Sequence, residues 1–130
     1  MTLTSPKEIA SIIKSFKPKN SSGYDNISTK LLKECSSEFS FILSYLCNQS
    51  LSSGTFPDWL KYAEVKPLYK KGDKELPSNY RPISLLPVFS KIFEKVMFNR
   101  LVKHLTANNI LSKIQFGFLK GSDIEKPIYT

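Results

Sequence analysis

Apolar residues near the start of the chain recur at intervals of three and four, the spacing of one face of an α-helix. The series comprises Ile9, Ile12, Ile13 and Phe16. Ahead of it, Ser5 can serve as an N-cap, Pro6 suits the first helical position, and Glu8 follows the cap by three residues. We therefore predict a helix that starts after Ser5 and ends before Pro18.

The same spacing predicts two further helices after a polar loop at residues 17–26. The second helix opens near Ser28 and carries Leu31, Leu32 and Cys35. The apolar residues of the third are Phe39, Ile42, Leu43, Leu46 and Leu51. Gly54 is a natural C-cap for this third helix, because glycine adopts the left-handed conformation without a steric penalty.

A period of two begins at residues 63–70 and predicts a strand with one buried face. Its alternating members are Ala63, Val65, Pro67 and Tyr69. Because Pro67 has no N–H to donate to a ladder, we expect an edge strand or a bulge at that position. Residues 80–86 can form the return strand, and the charged, turn-rich residues 70–79 predict the tip of a hairpin.

The longest helix is predicted to open at Pro87 or Ser90. Its apolar stripe consists of Ile92, Phe93, Val96, Met97, Leu101 and Leu105. His104, the one histidine of the sequence, lies in the last turns, where a solvated or capping side chain is expected. Helices combined with one two-stranded antiparallel hairpin predict an α+β fold.

Composition places the chain among globular proteins with a basic surface. Of its 130 residues, 41% are hydrophobic and 23% are charged, which excludes wholesale disorder. Nineteen Lys and Arg against eleven Asp and Glu give a formal net charge of +8. Such a balance suits a polyanionic partner or an acidic membrane surface.

Targeting and redox signals point to the interior of the cell. No run approaches the roughly 18 apolar residues of a membrane span, and the first residues lack the pattern of a secretory signal. Cys35 and Cys47 have no neighbouring His or Cys at metal-binding spacing. We expect an intracellular protein, not bound to membranes, in which both cysteines are reduced thiols rather than a disulfide.

Three loops, at residues 17–25, 66–81 and 115–121, combine lysine, glycine and aromatic residues. This combination favours contact with nucleotides or nucleic acid, although lysines also solubilise loop tips. Arg81 is one of two arginines and lies in an extended segment. Its planar fork suits a phosphate clamp, and an ion pair with Glu64 is the alternative. Both interpretations remain open at this point.

No catalytic constellation is visible in the sequence. A histidine-dependent triad could be built only around His104, and Asp25, Asp58, Asp73 and Asp123 are single loop acids. A two-metal phosphoryl-transfer site needs clustered carboxylates on rigid elements.

Several motifs in fixed order resemble a known family. They read Val65-Lys-Pro-Leu-Tyr-Lys-Lys-Gly-Asp, Ser78-Asn-Tyr-Arg-Pro-Ile-Ser-Leu-Leu-Pro, Ser90-Lys-Ile-Phe-Glu-Lys and Gln115-Phe-Gly-Phe. Upstream stand Lys19-Asn-Ser-Ser-Gly-Tyr-Asp-Asn-Ile and Ser50-Leu-Ser-Ser-Gly-Thr-Phe-Pro-Asp-Trp-Leu-Lys. The series resembles the N-terminal part of the reverse transcriptases of non-LTR (LINE-type, jockey-like) retrotransposons, over about residues 9–121.

The resemblance implies the incomplete fingers region of a right-hand polymerase that uses an RNA template, a DNA primer and deoxynucleoside triphosphates (dNTPs). It implies that Arg81 grips the triphosphate and that Lys70 or Lys71 assists. It places Gly23 and Asp25 along the template. The template segment near the templating base would further include Gln115, Phe116 and Gly117. The implied domain is 1–130, with a helical extension at 1–60, a fingers segment at 61–121 and an irregular tail at 122–130.

Departures from the family pattern limit what the resemblance implies. Ser22 and Asn26 stand where the family usually has proline and glycine, and Leu119 stands where it usually has arginine. The chain stops before the aspartates that hold Mg²⁺ in the full-length enzyme, so we expect no cofactor and no polymerisation by this chain alone. The alternatives are a basic nucleic-acid-binding module, a decayed remnant, or a protein-interaction piece.

Overall fold

The first helix, α1, spans Pro6–Ser15 and begins at the predicted cap. In the computed structural model, which describes residues 2–110, the Oγ of Ser5 accepts a hydrogen bond from the N–H of Glu8 at 3.3 Å. The chain leaves the helix at Phe16, two residues before Pro18, as the restriction on residues that precede proline requires. The predicted start and end of α1 are confirmed.

Helices α2 and α3 follow at Thr29–Glu34 and Ser36–Ser53. Ser28 caps α2, since its Oγ accepts the N–H of Leu31 at 3.2 Å. Gly54 ends α3 with φ at +67°, the left-handed conformation predicted for it. Both predicted helices are therefore confirmed, and so is the predicted C-cap at Gly54.

The core lies where three helices meet the start of a fourth, α4, which spans Val88–Ala107. This core belongs to the first of two compact units, which ends at Phe98. Its buried members are Ile9, Ile12, Ile13, Leu32, Leu43, Cys47, Val88, Ile92, Phe93 and Val96. Helix α3 precedes the hairpin in the chain and α4 follows it. Because both helices contribute to the core, the core fixes the chain on both sides of the hairpin.

Helix α3 buries a different face from the one its apolar residues suggest. Its buried residues are Ser40, Leu43, Ser44 and Cys47, and Ile42 and Leu46 are 57% and 42% exposed. The buried serines need no outside partner, because Ser40 Oγ donates to the Ser37 carbonyl at 2.9 Å. Ser44 Oγ does the same to the carbonyl of Phe41 at 2.8 Å.

The predicted hairpin is present, with β1 at Glu64–Tyr69 and β2 at Tyr80–Leu85, paired antiparallel. Pro67 lies opposite Pro82. The N–H of Lys70 donates to the carbonyl of Asn79 at 2.8 Å, so the alternating ladder puts the two prolines at a pair without hydrogen bonds. Neither missing N–H therefore costs a ladder bond, and the edge-strand expectation for Pro67 is confirmed.

The predicted buried face of the first strand is wrong. Every residue of β1 after Glu64 is exposed, including Val65 and Leu68. A two-residue period shows that a strand has two different faces, but burial also requires an element that packs on one of them.

The prediction for α4 is correct only in its first half. Ile92, Phe93 and Val96 are buried, but Met97 is 40% and Leu101 is 51% exposed. An apolar stripe is buried only where other elements cover it. Val96 is the last α4 residue in the core of the first unit.

Both cysteines and the histidine lie as the sequence predicts. Cys47 is buried in the core and Cys35 is half-buried, and both are thiols. His104 is exposed in the last turns of α4, as expected. Among residues 2–110 no helix is both long and apolar enough to cross a bilayer.

Candidate nucleic-acid interface

Strand register collects positive charge on one face of the hairpin. Arg81 lies opposite Leu68, and the alternation of side chains puts Lys66 and Lys70 on the same face as Arg81. Diagonal neighbours across an antiparallel pair lie about 7–8 Å apart, within reach of one phosphate group for long side chains. Arg81 and Lys70 are both exposed, and so is Lys71, the next residue into the tip.

The guanidinium of Arg81 has no acidic partner within residues 2–110. Glu64 instead accepts an ion pair from Lys66 at 3.3 Å. Glu64 faces Leu85, four residues along β2 from Arg81, which is about 13 Å at the strand rise. The alternative in which Glu64 pairs with Arg81 is therefore wrong, and Arg81 stays available for an anion.

Two tyrosines and an asparagine fold the tip of the hairpin back on itself. The hydroxyl of Tyr69 donates to the Gly72 carbonyl at 2.5 Å, and that of Tyr80 donates to the Lys74 carbonyl at 2.9 Å. Their rings meet edge to face with centroids 5.7 Å apart. They lie on the face opposite Arg81, since the pair 69–80 alternates with 68–81. The tip is thus an ordered structure rather than a loose loop.

Asn79 is a residue that the sequence analysis did not single out. Its Nδ2 donates to the Asp73 carbonyl at 2.7 Å, and its backbone carbonyl receives the N–H of Lys70. Gly72 has φ at +94°, and a Cβ there would lie 2.8 Å from Asn79 Nδ2. The sequence signal for Asn79 is its position at the end of the turn-rich tip, directly before Tyr80-Arg-Pro. An asparagine next to a turn often forms hydrogen bonds with the local backbone.

Gly23 lies against protein backbone. It is buried, and a Cβ on it would approach Pro87 N to 2.9 Å and Leu86 C to 3.0 Å. These atoms join β2 to α4. The glycine therefore allows the loop at residues 17–28 to pack onto the junction that carries the hairpin. The template role predicted for Gly23 remains a prediction beside this packing role.

Asp25 and Asn26 shape the same loop. The Oδ1 of Asp25 accepts the N–H of Ile27 at 3.2 Å, and the N–H of Asn26 donates to the carbonyl of Gly23 at 3.2 Å. Asn26 has φ at +58°, in the left-handed region that glycine and asparagine tolerate best. This conformation explains why asparagine can replace the glycine usual in the resembled family. Asp25 is half-buried, and its predicted contact with a template remains a prediction.

The other predicted template residues, Gln115, Phe116 and Gly117, lie outside the described residues. Within residues 2–110, no three His, Cys, Asp or Glu side chains come together as metal ligands. The exposed Asp58 carboxylate is bound to the ammonium of Lys61 at 2.6 Å. That hydrogen bond, with the charge of Lys61, lowers the pKa of Asp58. The acids among residues 2–110 are therefore not gathered at one centre.

The first unit also contains an apolar groove of about 460 Å³, and none of the residues that line it belongs to the hairpin. Its lining includes Phe39, Ile42, Leu43, Leu46, Phe89 and Phe93. The rings of Phe39 and Phe89 meet at its wall at an angle of 51°, with centroids 5.6 Å apart. On the α3 side of the groove, Ile42 is 57% and Leu46 is 42% exposed.

Comparison with known proteins finds relatives of one kind, which are RNA-directed DNA polymerases of Drosophila mobile elements. The chain is 36% identical over 124 residues to the probable RNA-directed DNA polymerase from transposon BS of Drosophila melanogaster. It is 32% identical over 117 residues to the corresponding protein from transposon X-element of the same species. It is 28% identical over 113 residues to the RNA-directed DNA polymerase from mobile element jockey of Drosophila funebris. The chain is related to one portion of the RNA-directed DNA polymerases of jockey-like non-LTR retrotransposons.

The match to this retrotransposon polymerase family covers most of the chain but little of each relative. The three alignments span 95%, 89% and 86% of the chain and only 14%, 13% and 12% of the relatives. No protein-family model matches the chain. The chain thus corresponds to a fragment of a retrotransposon polymerase, as the motifs indicated.

Proposed function

We propose that the β1–β2 hairpin binds the triphosphate of an incoming dNTP in a retrotransposon RNA-directed DNA polymerase. In this proposal the chain is the fingers region of a right-hand polymerase. It supplies nucleotide and template contacts, and Mg²⁺ belongs to the full-length enzyme. The observation that carries the proposal is the placement of Arg81 on the same exposed face as Lys70, without an acidic partner among residues 2–110.

The chemistry of the three side chains fits a triphosphate. The guanidinium of Arg81 can donate two parallel hydrogen bonds to one phosphate, which fixes its orientation. Lys70 and Lys71 add point charges at the base of the tip. The hydrogen bonds of Asn79 and Tyr80 hold that tip in shape before any ligand binds, which lowers the entropy lost on binding.

The loop at residues 17–28 is proposed to run beside the RNA template. Because Gly23 is buried, the exposed neighbours on either side of it, Ser21 and Tyr24, would make the contact. Asp25 would act by holding the turn through its bond to Ile27. The segment with Gln115, Phe116 and Gly117 is proposed to lie near the templating base.

Replacing Arg81 with lysine tests the clamp, because Arg81→Lys keeps the charge and removes the fork. Binding of a fluorescent dNTP is measured by anisotropy in the presence of an RNA template annealed to a DNA primer. Loss of one charge-assisted hydrogen bond is worth about 1–2 kcal/mol, so we expect binding about five- to thirtyfold weaker. Arg100→Lys is the matched control and should leave binding unchanged. Equal binding by Arg81→Lys and the control would refute the clamp.

A basic nucleic-acid-binding module is the second candidate, and the net charge of +8 favours it. Such a module binds phosphates without regard to fork geometry, and its affinity falls steeply with salt. Under this candidate, Arg81→Lys would bind like the unaltered chain, and addition of dNTP would not change the affinity for template and primer.

A further inference from the structure

Within residues 2–110, neither outer edge of the β1–β2 sheet is paired with a further strand. Every second residue of an edge strand directs its N–H and C=O away from its partner, where another strand can bind them. The two strands also contain residue types that favour strands, namely Val65, Tyr69, Tyr80 and Ile83. A hairpin of this kind would pair with a second copy of the chain unless its edges were closed.

The strand register identifies the residues whose backbone groups point outward. The pair formed by Lys70 and Asn79 is hydrogen-bonded, because the N–H of Lys70 donates to the carbonyl of Asn79 at 2.8 Å. Alternation along the ladder then defines the pairs without mutual hydrogen bonds, which are 65–84, 67–82 and 69–80. Their N–H and C=O groups face the outer edges. Pro67 and Pro82 are therefore the central outward residues of β1 and β2.

Each proline closes the middle of its edge in two ways. It has no N–H to donate, and its ring occupies the space through which a neighbouring strand would approach. In a two-fold pair of β1 strands centred on this position, Pro67 would lie opposite Pro67 of the second copy, so both central donors would be missing. Pro67 and Pro82 are both exposed, which places them at the surface where such a strand would arrive.

The two edges differ in the donors that they keep. On β2, the N–H of Tyr80 already donates to the carbonyl of Pro77 in the turn before the strand. The outward donor that remains on β2 is that of Ser84, beyond the proline. On β1, Val65 and Tyr69 keep outward N–H groups on either side of the proline. The proline of β1 therefore closes the edge that has more donors to offer.

We propose that Pro67 and Pro82 prevent the hairpin from pairing edge to edge with a second copy of the chain. This closure allows β1, which is exposed from Val65 to Tyr69, to remain in solvent without adding strands. The edges lie in the plane of the sheet, whereas Arg81 and Lys70 project from one of its faces. The inference therefore does not depend on the proposed nucleotide site.

The test measures amide hydrogen exchange of the full chain by NMR, and its mass by analytical ultracentrifugation, at about 10 μM to 1 mM. Pro67→Val restores a donor at the middle of the β1 edge. We expect this variant to associate, with exchange at Val65 and Tyr69 slowed about tenfold or more as concentration rises. Pro67→Ala restores the same N–H without the apolar valine side chain and should also slow this exchange. Pro82→Val should associate less than Pro67→Val, and P67V/P82V should form assemblies larger than dimers.

Pro77→Val is the matched control, because Pro77 is an exposed proline of the tip and belongs to neither strand. Exchange at Val65 and Tyr69 should remain as fast in this control as in the unaltered chain. Equal exchange at these amides in Pro67→Val and the control at every concentration would overturn the proposal. Slowing by valine but not by alanine would do the same, because the cause would then be the side chain.

The unaltered chain provides a test that needs no variant to fold. Exchange of the Val65 and Tyr69 amides should be fast and independent of concentration. Protection of these amides that grows with concentration would overturn the proposal, since the edge would then pair despite its proline. Circular dichroism of each variant shows that a change in association is not a loss of fold.

Discussion

Gly23 gives the sharpest prediction, because a single methyl group tests how the loop meets the hairpin. In Gly23→Ala, the new Cβ would lie 2.9 Å from Pro87 N, 3.0 Å from Leu86 C and 3.1 Å from Pro87 Cα. All three atoms are backbone at the junction of β2 and α4, so no flexible side chain can move aside. The loop must shift instead.

The expected cost follows from two opposing terms. Overpacking at a tight contact costs about 1–3 kcal/mol. Gly23 does not have a positive φ, so alanine fits its backbone and gains about 0.4–1 kcal/mol from a less flexible unfolded chain. The net prediction is a loss of about 1–2 kcal/mol in the free energy of unfolding, a fall in Tm of about 3–10 °C for a chain of this size.

Urea unfolding followed by circular dichroism measures this free energy. Ser21→Ala, in the same loop but at an exposed position, is the control and should change stability by less than about 0.5 kcal/mol. Stability of Gly23→Ala equal to that of the control would refute the packing argument. If Gly23→Ala kept the stability of the control but bound RNA more weakly, Gly23 would be needed for template binding rather than for packing.

Three further predictions concern the loop, the tip and the apolar groove. Asn26→Gly should change the free energy of unfolding by no more than about 0.5 kcal/mol. Asn26→Ala should lower it by about 1 kcal/mol, because Asn26 has φ at +58°. Equal urea midpoints for the two variants would contradict this. Asn79→Ala removes the hydrogen bond to the Asp73 carbonyl and should speed amide exchange across residues 70–79 without lowering the global Tm by more than about 3 °C. Ile42 lines the apolar groove and is 57% exposed. Ile42→Asp should weaken binding of the dye ANS and lower the free energy of unfolding by less than about 1 kcal/mol. Unchanged dye fluorescence would show that ANS does not bind in this groove.

The sequence predicted local structure well where the signal was itself local. The Ser5 and Ser28 hydroxyls and the Gly54 backbone act at the helix ends for which their chemistry suits them. The hairpin followed in the same way from the two-residue period at residues 63–70 and the turn-rich tip that follows it. These features need only residues within a few positions of each other.

Burial could not be predicted in the same way, because it depends on what packs over each face. Val65 and Leu68 follow strand periodicity yet are exposed. On α3, Ser44 is buried while its neighbour Tyr45 is 62% exposed. Helix α3 is apolar nearly all round, so its sequence could not identify the face that meets α1.

At the candidate site, too, local features could be predicted from the sequence and long-range contacts could not. The fork of Arg81 was predicted from its residue type and its extended segment. Excluding an ion pair between Arg81 and Glu64 required the strand register, and the phosphate clamp remains a prediction. The packing role of Gly23 required a contact between residues more than 60 positions apart, Gly23 with Pro87.

The nucleotide role of the hairpin is tested most directly by NMR of the full chain with labelled arginine side chains. Inorganic tripolyphosphate is titrated in, and the ¹⁵Nε signals of Arg81 and Arg100 are followed. We predict that the Arg81 signal shifts and saturates, together with the amides of Lys70 and Lys71, while the Arg100 signal stays in place. An Arg81 signal that does not move, or that moves no more than that of Arg100, would contradict a triphosphate site on the hairpin.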